Sequence, residues 1–595
     1  MKVLLVNPPW RKNGYYGVRA GAKWPHLIPY SENGNRRSFV PFPFHLAYAA
    51  SVLKNKGHIV YVIDAVASEL DDVEFYARVM DAAPDIIVQE VSTPTLVIDL
   101  NYAQEMKRIC DRAKLVFCGP NLLMQDEKFL EANSFVDFVI YGEYEYVLRN
   151  LINELERDNP SLGIIDGLIY REKGRIIKNP PAQLISDIDL LPWPARDLFP
   201  LEKYGNDIFE LPKPSLQVMT SRGCPYLCSF CLWPIEMYGS NVYRVRKPKD
   251  VAEEIAYCSK KWNIKSYFFN DDTFYYGKKN LLDFANEIKK QKIKLPFSIS
   301  VFGQMLLKEE IDALSEVGLY SVVVGIESGS KSVLQKRNSV LDLELVKNMV
   351  ENLKNNKVKS IAVFYFGLEY ETNDSIDETI NFALELDPDD AKFVLVVPSF
   401  GSRYYKELDK KGYILTKTIE DFYVSSKPSF RIDNMSREDL ENALSKARKM
   451  WWAHKHIRNK EFDFDSMKNF FSFATGEHRI FFVVHNQCHL GHIHEIIYSL
   501  PESVQLIDIN FIVPKGLKEA VKNEFRDSTI IDVDSDDIDP YKVFQKITYK
   551  RNDIYIIPSS SEKGKDCREI AEYFLDNFPE STFIISPKGR VIEKI

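Results

Sequence analysis

The sequence lacks the features that mark membrane-spanning and nucleic-acid-binding chains. Charged residues interrupt every apolar stretch well before the roughly 20 residues that would cross a bilayer. The formal net charge is −8, so the chain has no general basic field to attract nucleic acid. The opening residues, MKVLLVNPPW, indicate a first strand and a turn rather than a signal peptide. We therefore expect no transmembrane segment and no nucleic-acid partner.

Cysteine is also scarce, with eight residues in a chain of 595. This number is too low for a disulfide framework and favours a reducing, cytoplasmic setting. Three of the eight, Cys224, Cys228 and Cys231, nevertheless fall within a stretch of eight residues. A clustering this tight in so long a chain needs a chemical cause.

The amino-terminal part of the chain, residues 1–160, alternates strand and helix patterns. This rhythm predicts an α/β domain with a doubly wound parallel sheet. Strands are predicted at Lys2–Val6, Ile59–Asp64, Ile86–Glu90, Leu115–Cys118 and Phe138–Tyr141. Ligands of such sheets bind beyond the carboxyl ends of the strands. The candidate ligand-binding residues at those ends are Asn7, Pro8, Pro9, Asp64, Ser92, Thr93, Gly119, Pro120, Gly142 and Glu143.

The middle of the chain predicts a linker and a second α/β domain. Residues 161–212 are rich in proline and contain one small hairpin, so we interpret them as a linker. Residues 213–435 contain six strand–helix units, including one long helix at Lys331–Leu353. Six such units in one run predict a partial (β/α)6 barrel, with its chemistry at the carboxyl ends of the strands.

The carboxyl-terminal part predicts a helical segment over 436–476 and a third α/β domain over 477–595. The turn from His485 to His494 contains four histidines and Cys488. It could bind phosphate or a glycan at a helix N-terminus, bind a metal, or form a packed or partner-binding surface. The domain weakly resembles the first half of a nucleotide-sugar glycosyltransferase.

The three clustered cysteines have the spacing Cys-x3-Cys-x2-Cys in a loop that also contains glycine and proline. Thiolates are the ligands of iron–sulfur clusters, and three of them leave one iron of a cubane open to a cofactor or substrate. The alternatives fit less well. Structural cysteines do not cluster in such a loop, zinc would require a fourth ligand, and a disulfide would leave one cysteine over.

This motif, placed directly after the first barrel strand, resembles the radical S-adenosylmethionine (SAM) family. The resemblance implies a [4Fe–4S] cluster on Cys224, Cys228 and Cys231, with SAM cleaved reductively to a 5′-deoxyadenosyl radical. Three later turns are also similar: Gly325–Ser330 to GxESGS, Gly367–Thr372 to GLPGET, and Pro398–Ser402 to PxPGT. The sequence departs from GLPGET by having Glu369-Tyr370 in place of Pro-Gly. The SAM-binding residues that the resemblance implies are Phe230, Asn270, Asp271, Asp272, Gly325, Glu327 and Ser328.

Together, the first two domains resemble the cobalamin-binding class of radical SAM proteins, which includes hopanoid-tailoring enzymes and the anaerobic porphyrin cyclase. The resemblance implies cobalamin at the carboxyl edge of the first sheet. An Asp-x-His-x-x-Gly motif is missing, so no histidine is placed to ligate cobalt.

The expected function is cobalamin-dependent C-methylation of a lipid, glycan or secondary metabolite, with an electron donor such as flavodoxin or ferredoxin. Radical cyclisation, C–C coupling or oxidation without cobalamin is the alternative, and a non-catalytic iron–sulfur redox sensor is a more remote one.

Overall fold

The described part of the chain divides into two compact units, Met1–Glu441 and Asn442–Ile595. The structure is a computed structural model that describes residues 1–12, 14–19, 27–29, 39–204, 211–226, 228–231, 233–239, 242–275, 277–303, 306–416, 418, 423 and 428–458, together with six strands between 478 and 593.

The first sheet of unit one has seven strands. They are β1 (Lys2–Asn7), β2 (Ile59–Asp64), β3 (Ile86–Glu90), β4 (Lys114–Cys118), β5 (Phe138–Ile140), β6 (Leu168–Glu172) and β7 (Arg175–Lys178). Their order in the sheet is β7-β6-β5-β4-β3-β1-β2, and β1 to β5 are parallel. The inner strands are continuous apolar runs because helices cover both faces of the sheet.

Helices flank this sheet at α1 (Phe44–Lys54), α2 (Ala65–Ser68), α3 (Asp72–Ala82), α4 (Leu96–Ile109), α5 (Glu127–Ala132) and α6 (Glu145–Leu155). A short antiparallel ribbon of Arg11–Lys12, Tyr15–Gly17 and Leu27–Pro29 follows β1. The hairpin β6–β7, which the sequence analysis assigned to a linker, pairs antiparallel with β5 and extends the sheet. The predicted doubly wound sheet is therefore confirmed, with an antiparallel edge.

The second sheet of unit one has six parallel strands in chain order. They are β8 (Ser215–Val218), β9 (Ser266–Phe269), β10 (Phe297–Phe302), β11 (Leu319–Ile326), β12 (Lys359–Phe366) and β13 (Asp390–Leu395). Among the described residues β8 and β13 do not pair, so the sheet is an open, partial barrel. The fold class predicted from the sequence is confirmed.

The helices of this barrel alternate with its strands. They are α7 (Trp233–Tyr238), α8 (Pro248–Trp262), α9 (Lys278–Lys290), α10 (Lys308–Ser315), α11 (Lys331–Lys336), α12 (Leu343–Asn355), α13 (Asn373–Leu386) and α14 (Arg403–Lys410). The prediction of a single helix at Lys331–Leu353 is wrong, because a turn separates α11 from α12. Asn338 has a left-handed φ of 52°, and the Asp342 carboxylate caps α12 by accepting from Glu344 N at 2.9 Å.

One hydrophobic core within unit one joins the helices α1 and α2, which flank the first sheet, to the barrel residues Phe268 and Ile361. Phe42 N donates to Gln217 Oε1 at 2.9 Å, and Gln217 Nε2 donates to Val40 O at 2.7 Å. The ring of Phe39 meets that of Phe268 edge-on at 6.2 Å. A segment of the amino-terminal region is therefore built into the packing of β8 and β9.

The second unit contains a six-stranded sheet. Its strands are β14 (His478–Val483), β15 (Leu506–Pro514), β16 (Thr529–Val533), β17 (Ile554–Pro558), β18 (Thr582–Ile585) and β19 (Val591–Glu593), in the order β16-β15-β14-β17-β18-β19. Only β19 runs antiparallel to its neighbour. The helix α15 (Arg437–Arg458) extends from unit one into unit two. The His485–His494 turn lies outside the described residues, and within them no helix is long and apolar enough to span a bilayer.

Candidate functional site

The three clustered cysteines lie on the loop Gly223–Cys231, which we call the cluster loop. It follows a two-residue strand, Ser221–Arg222, that pairs antiparallel with Arg244–Val245. Cys224 and Cys228 are half-buried and Cys231 is exposed, and none forms a disulfide. Three cysteines on one loop, none of them in a disulfide, match the donor chemistry of an iron–sulfur cluster.

The base of the cluster loop is held by two carboxylates at the carboxyl end of β9. Asp271 Oδ1 accepts hydrogen bonds from the backbone N of Thr220 and of Ser221, both at 2.6 Å. Asp272 Oδ2 accepts from Gly223 N at 3.0 Å. The sequence analysis assigned both aspartates to SAM binding, which stays a prediction. In the structure they fix the backbone that leads into Cys224.

Asn270 and Thr273 flank these aspartates. The Asn270 side chain is fully buried and donates to Gln217 Oε1 at 3.3 Å, inside the barrel. Thr273 Oγ1 lies 3.1 Å from Cys224 Sγ. Sequence reasoning missed Thr273, although it directly follows the two aspartates that hold the loop.

Cys228 faces the carboxyl end of β11. Burial and the Glu327 carboxylate, which hydrogen bonds the thiol, raise the pKa of Cys228 above its usual value. The Phe230 ring lies 5.6 Å from that of Tyr365 on β12, whose pKa is raised by burial and by Cys228. Phe230 and Glu327, both predicted SAM residues, are therefore brought together beside Cys228, with Gly325 two residues before Glu327.

Ser328 is turned toward a helix instead. Its Oγ lies 3.0 Å from Thr379 Oγ1 on α13 and accepts from Ser330 N at 3.1 Å. A Cβ on Gly329 would lie 2.6 Å from Phe382 Cβ, so this turn packs tightly against α13. The structure does not bring Ser328 together with Phe230 and Glu327.

An ion-paired group beside Phe230 was not found from the sequence. The Arg337 guanidinium pairs with Glu369, lies 3.8 Å from Glu327 Oε2 and sits 5.9 Å from the Phe230 ring. Glu369 also accepts a hydrogen bond from the Ser229 hydroxyl. The departure from GLPGET was the available signal, because Glu369 stands where that pattern has proline.

The carboxyl edge of the first sheet carries the residues predicted to bind cobalamin. The buried Arg19 guanidinium contacts Asn7 Oδ1 at 3.1 Å, Pro8 O at 2.6 Å and Asp99 Oδ1 at 2.8 Å. Asp64 caps α2 and accepts from Tyr204 Oη at 2.7 Å. These polar groups at the ends of β1 and β2 are therefore used within the protein.

The loops after β3 and β4 meet a residue from the barrel. Glu236 of α7 accepts from Thr93 Oγ1 at 3.0 Å and from Leu122 N at 3.1 Å. Burial raises the pKa of this carboxyl from 4.5 to about 7. Ser92 Oγ donates to Val18 O at 3.3 Å. The segment that follows the three cysteines thus reaches the carboxyl edge of the first sheet.

The remaining predicted residues form the turns of this edge. Gly119 has a φ of 107°, and a Cβ there would lie 2.9 Å from Glu90 Cγ. Pro120 O accepts from Thr93 N at 3.2 Å. A Cβ on Gly142 would lie 3.6 Å from the carbonyl oxygen of Met237. Pro9 is buried, and Glu143 is ion-paired.

The edge also contains buried polar atoms that a ligand would satisfy. Within the described residues Trp10 Nε1, Gln89 Oε1 and Glu90 Oε2 have no hydrogen-bond partner. Orphaned buried groups of this kind are rare in native proteins and call for an explanation. The amide side chains of a corrin both donate and accept hydrogen bonds, so cobalamin fits the chemistry of these residues.

Two family models match the first unit of the chain. The B12 binding domain matches residues 34–152, and the Radical SAM superfamily matches residues 218–383. The chain is a radical SAM enzyme with a B12-binding domain. These domains imply a [4Fe–4S] cluster, SAM and cobalamin as cofactors. The family prediction made from the cysteine motif is confirmed, and the redox-sensor alternative is set aside because the relatives are enzymes.

This radical SAM enzyme is similar to proteins with named activities. An uncharacterized methyltransferase of Pyrococcus horikoshii is 29% identical over 405 residues, covering 68% of this chain and 86% of the relative. The anaerobic magnesium-protoporphyrin IX monomethyl ester cyclase of Rubrivivax gelatinosus is 24% identical over 465 residues, covering 76% and 77%. The structure of the cobalamin-dependent radical enzyme OxsB, with aqua-cobalamin and SAM bound, matches with a TM-score of 0.56 at 16% identity, covering 79% of this chain and 70% of OxsB. That likeness supports the fold.

Proposed function

We propose that this enzyme uses SAM and cobalamin to transfer a methyl group to an unactivated carbon of a lipid, glycan or secondary metabolite. The observation that carries the proposal is the cluster loop itself. The cluster loop comes after the first barrel strand and before α7. Helix α7 contacts the loops of the B12-binding domain through Glu236. The three cysteines that would hold the cluster thus lie on a loop that is connected to the carboxyl edge of the B12-binding domain.

The residues that would hold the cluster are Cys224, Cys228 and Cys231. Three thiolates would leave one iron of the cluster without a protein ligand and open to SAM. When bound, the cluster supplies the electron that cleaves SAM, and cobalamin supplies the centre that carries the methyl group. Every other contribution comes from the side chains around these groups.

The protein residues around Cys228 would orient SAM and exclude water. Phe230 and Tyr365, both half-buried, form an aromatic wall, and Glu327 offers a carboxylate at the edge of that wall. The Arg337 guanidinium lies 3.8 Å from Glu327 Oε2 and would place a positive charge beside that carboxylate. Closely packed side chains of this kind would limit side reactions of a radical with solvent.

A second candidate function is radical cyclisation, C–C coupling or oxidation without cobalamin. It is favoured by the similarity to the cyclase of Rubrivivax gelatinosus, which extends over 76% of this chain. Both functions need a reductant and a substrate. We propose flavodoxin or ferredoxin as the reductant, in a cytoplasmic setting.

Anaerobic reconstitution with iron and sulfide tests the radical SAM function. We expect about four irons per chain and cleavage of SAM to 5′-deoxyadenosine after reduction. Cys228→Ala should abolish both properties, whereas Cys110→Ala, which removes another half-buried cysteine, should retain them. An unchanged Cys228→Ala variant would refute the proposal.

The use of cobalamin is tested separately. The protein is expressed with hydroxocobalamin, and its absorbance is measured for a bound corrin and for the change that SAM methylation causes. A bound, methylatable corrin supports methyl transfer. An active protein without corrin contradicts it and favours the cyclisation, coupling or oxidation alternatives.

A further inference from the structure

Five buried side chains join the B12-binding domain to the strand that leads into the cluster loop. We call His45, Glu143, Glu145, Arg222 and Arg244 the junction cluster. Arg222 donates to Glu143 Oε1 and to Glu145 Oε1, both at 2.7 Å. Arg244, the register partner of Arg222, donates to Glu143 Oε2 at 2.7 Å. His45 Nδ1 lies 3.0 Å from Glu145 Oε1.

The junction cluster is removed from solvent, with side-chain exposures between 0% and 7%. Burial, and then the charge of Arg222, lower the pKa of His45, so the imidazole is neutral at pH 7. Burial alone would raise the pKa of Glu145, but Arg222 and His45 lower it below its ordinary value. Two carboxylates therefore balance two guanidinium groups.

Ion pairs buried this deeply contribute little net stability, because desolvation offsets much of their attraction. Arg222 nevertheless bridges two carboxylates and Glu143 bridges two guanidinium groups, and these shared contacts restrict where each side chain can lie. The backbone of Ile185 is bound to the junction cluster. Its N donates to Glu143 at 2.9 Å and its O accepts from Arg244 at 2.9 Å. The segment between the two domains is thus tied to the same point.

Only Gly223 separates Arg222 from Cys224, and this stretch of backbone has little freedom. Asp271 and Asp272 hold the backbone N of Ser221 and of Gly223. The backbone on either side of Arg222 is thus held by the barrel, and the Arg222 side chain is held by carboxylates of the B12-binding domain, two residues before Cys224.

We propose that Glu143 and Glu145 are positioning residues that fix the first cluster cysteine, Cys224, against the B12-binding domain. This assigns Glu143 a role other than the cobalamin contact expected from the sequence. The inference rests on the proposed function in taking Cys224 as a cluster ligand. Its effect is mechanical, so it is measurable in the cluster-free protein as well as in the reconstituted one.

The test uses Glu143→Gln and Glu145→Gln, with Glu154→Gln as the matched control. Glu154 lies on the same helix as Glu145, is also buried, and accepts from Ser161 N at 2.9 Å, away from the cluster loop. In the cluster-free chain, the alkylation rate of each cysteine is measured at fixed pH by peptide mass spectrometry. We expect the two test variants to alkylate Cys224 about ten-fold faster, the factor for losing one charge-assisted hydrogen bond.

In the reconstituted chain, iron loss to a chelator should accelerate by about the same factor, and the EPR signal of the reduced cluster should change shape. Glu154→Gln should match wild type in every measurement. Test variants that fold, as judged by circular dichroism, and still behave like the control would overturn the inference. If they do not fold, Arg222→Lys provides the test, because lysine keeps the charge but cannot bridge two carboxylates in a fixed plane. Wild-type protein that assembles no cluster would refute the proposed function instead.

Discussion

Replacement of Gly223 by alanine tests how closely the cluster loop depends on one backbone position. Gly223 has a φ of 87°, in the left-handed region that favours glycine. A Cβ there would lie 2.1 Å from the carbonyl oxygen of Val242. That oxygen is backbone, on the segment opposite the strand Ser221–Arg222, so it cannot rotate away as a side chain would.

Both effects have a magnitude. An L-residue in the left-handed region costs about 1–2 kcal/mol, and an overlap that forces backbone to shift costs about 1–3 kcal/mol more. Together they predict a loss of about 2–5 kcal/mol in the stability of the cluster loop. Gly174→Ala is the matched control, because Gly174 has a φ of 77° but no atom within 4 Å of an added Cβ. It should show the conformational cost alone.

The assay measures iron per chain after anaerobic reconstitution, together with the urea midpoint of each variant. Gly223→Ala should hold little iron, whereas Gly174→Ala should hold as much as wild type despite a small loss of stability. Equal iron content in the two variants would refute the argument from steric overlap. A loss of iron in Gly174→Ala would show that strain anywhere in the unit disturbs the cluster.

Three further changes have defined outcomes. The pKa of Glu236 is about 7 in the folded protein and 4.5 in the unfolded chain. Proton binding by this carboxyl therefore stabilises the folded protein fully below pH 4.5, and that stabilisation is lost as the pH rises through 7. Glu236→Gln should therefore be more stable than wild type at pH 8.5, by up to about 3 kcal/mol in urea unfolding, and closer to it at pH 5. Glu254→Gln removes a buried carboxylate shared by two arginines and should cost about 3–5 kcal/mol of unfolding free energy. Asp271→Ala removes the acceptor for the backbone of Ser221 and should speed iron loss to a chelator about ten-fold. Unchanged values would contradict each of these.

The positions of most strands along the chain, and the position of the cluster loop after the first barrel strand, could be predicted from the sequence because both depend on local signals. The short apolar run within Lys2–Asn7, which ends in a turn of two prolines, is typical of a strand buried on both faces. The cysteine spacing likewise specifies its chemistry without reference to distant residues. The break at Asn338 and Asp342 carried a local signal too, which the helical period of the surrounding residues outweighed.

The partners of the polar residues could not be predicted in the same way. Glu143 stands at the end of a strand, as a ligand-binding residue would, but its contact is Arg222, 79 residues away. Asp271 likewise follows a strand and accepts from backbone 50 residues earlier. A sequence shows which residues reach the carboxyl edge of a sheet. It does not show which of them are used by the protein itself.

The cluster loop is attached to the B12-binding domain on both sides of its cysteines. Before the cysteines, Arg222 is held by Glu143 and Glu145, and after them Glu236 is held by the loops following β3 and β4. Both contacts are buried, and both end on the B12-binding domain. A loop attached at one flank could rotate about that point, whereas a loop attached at both flanks cannot. The fold therefore attaches the cluster loop to the B12-binding domain both before and after the three cysteines.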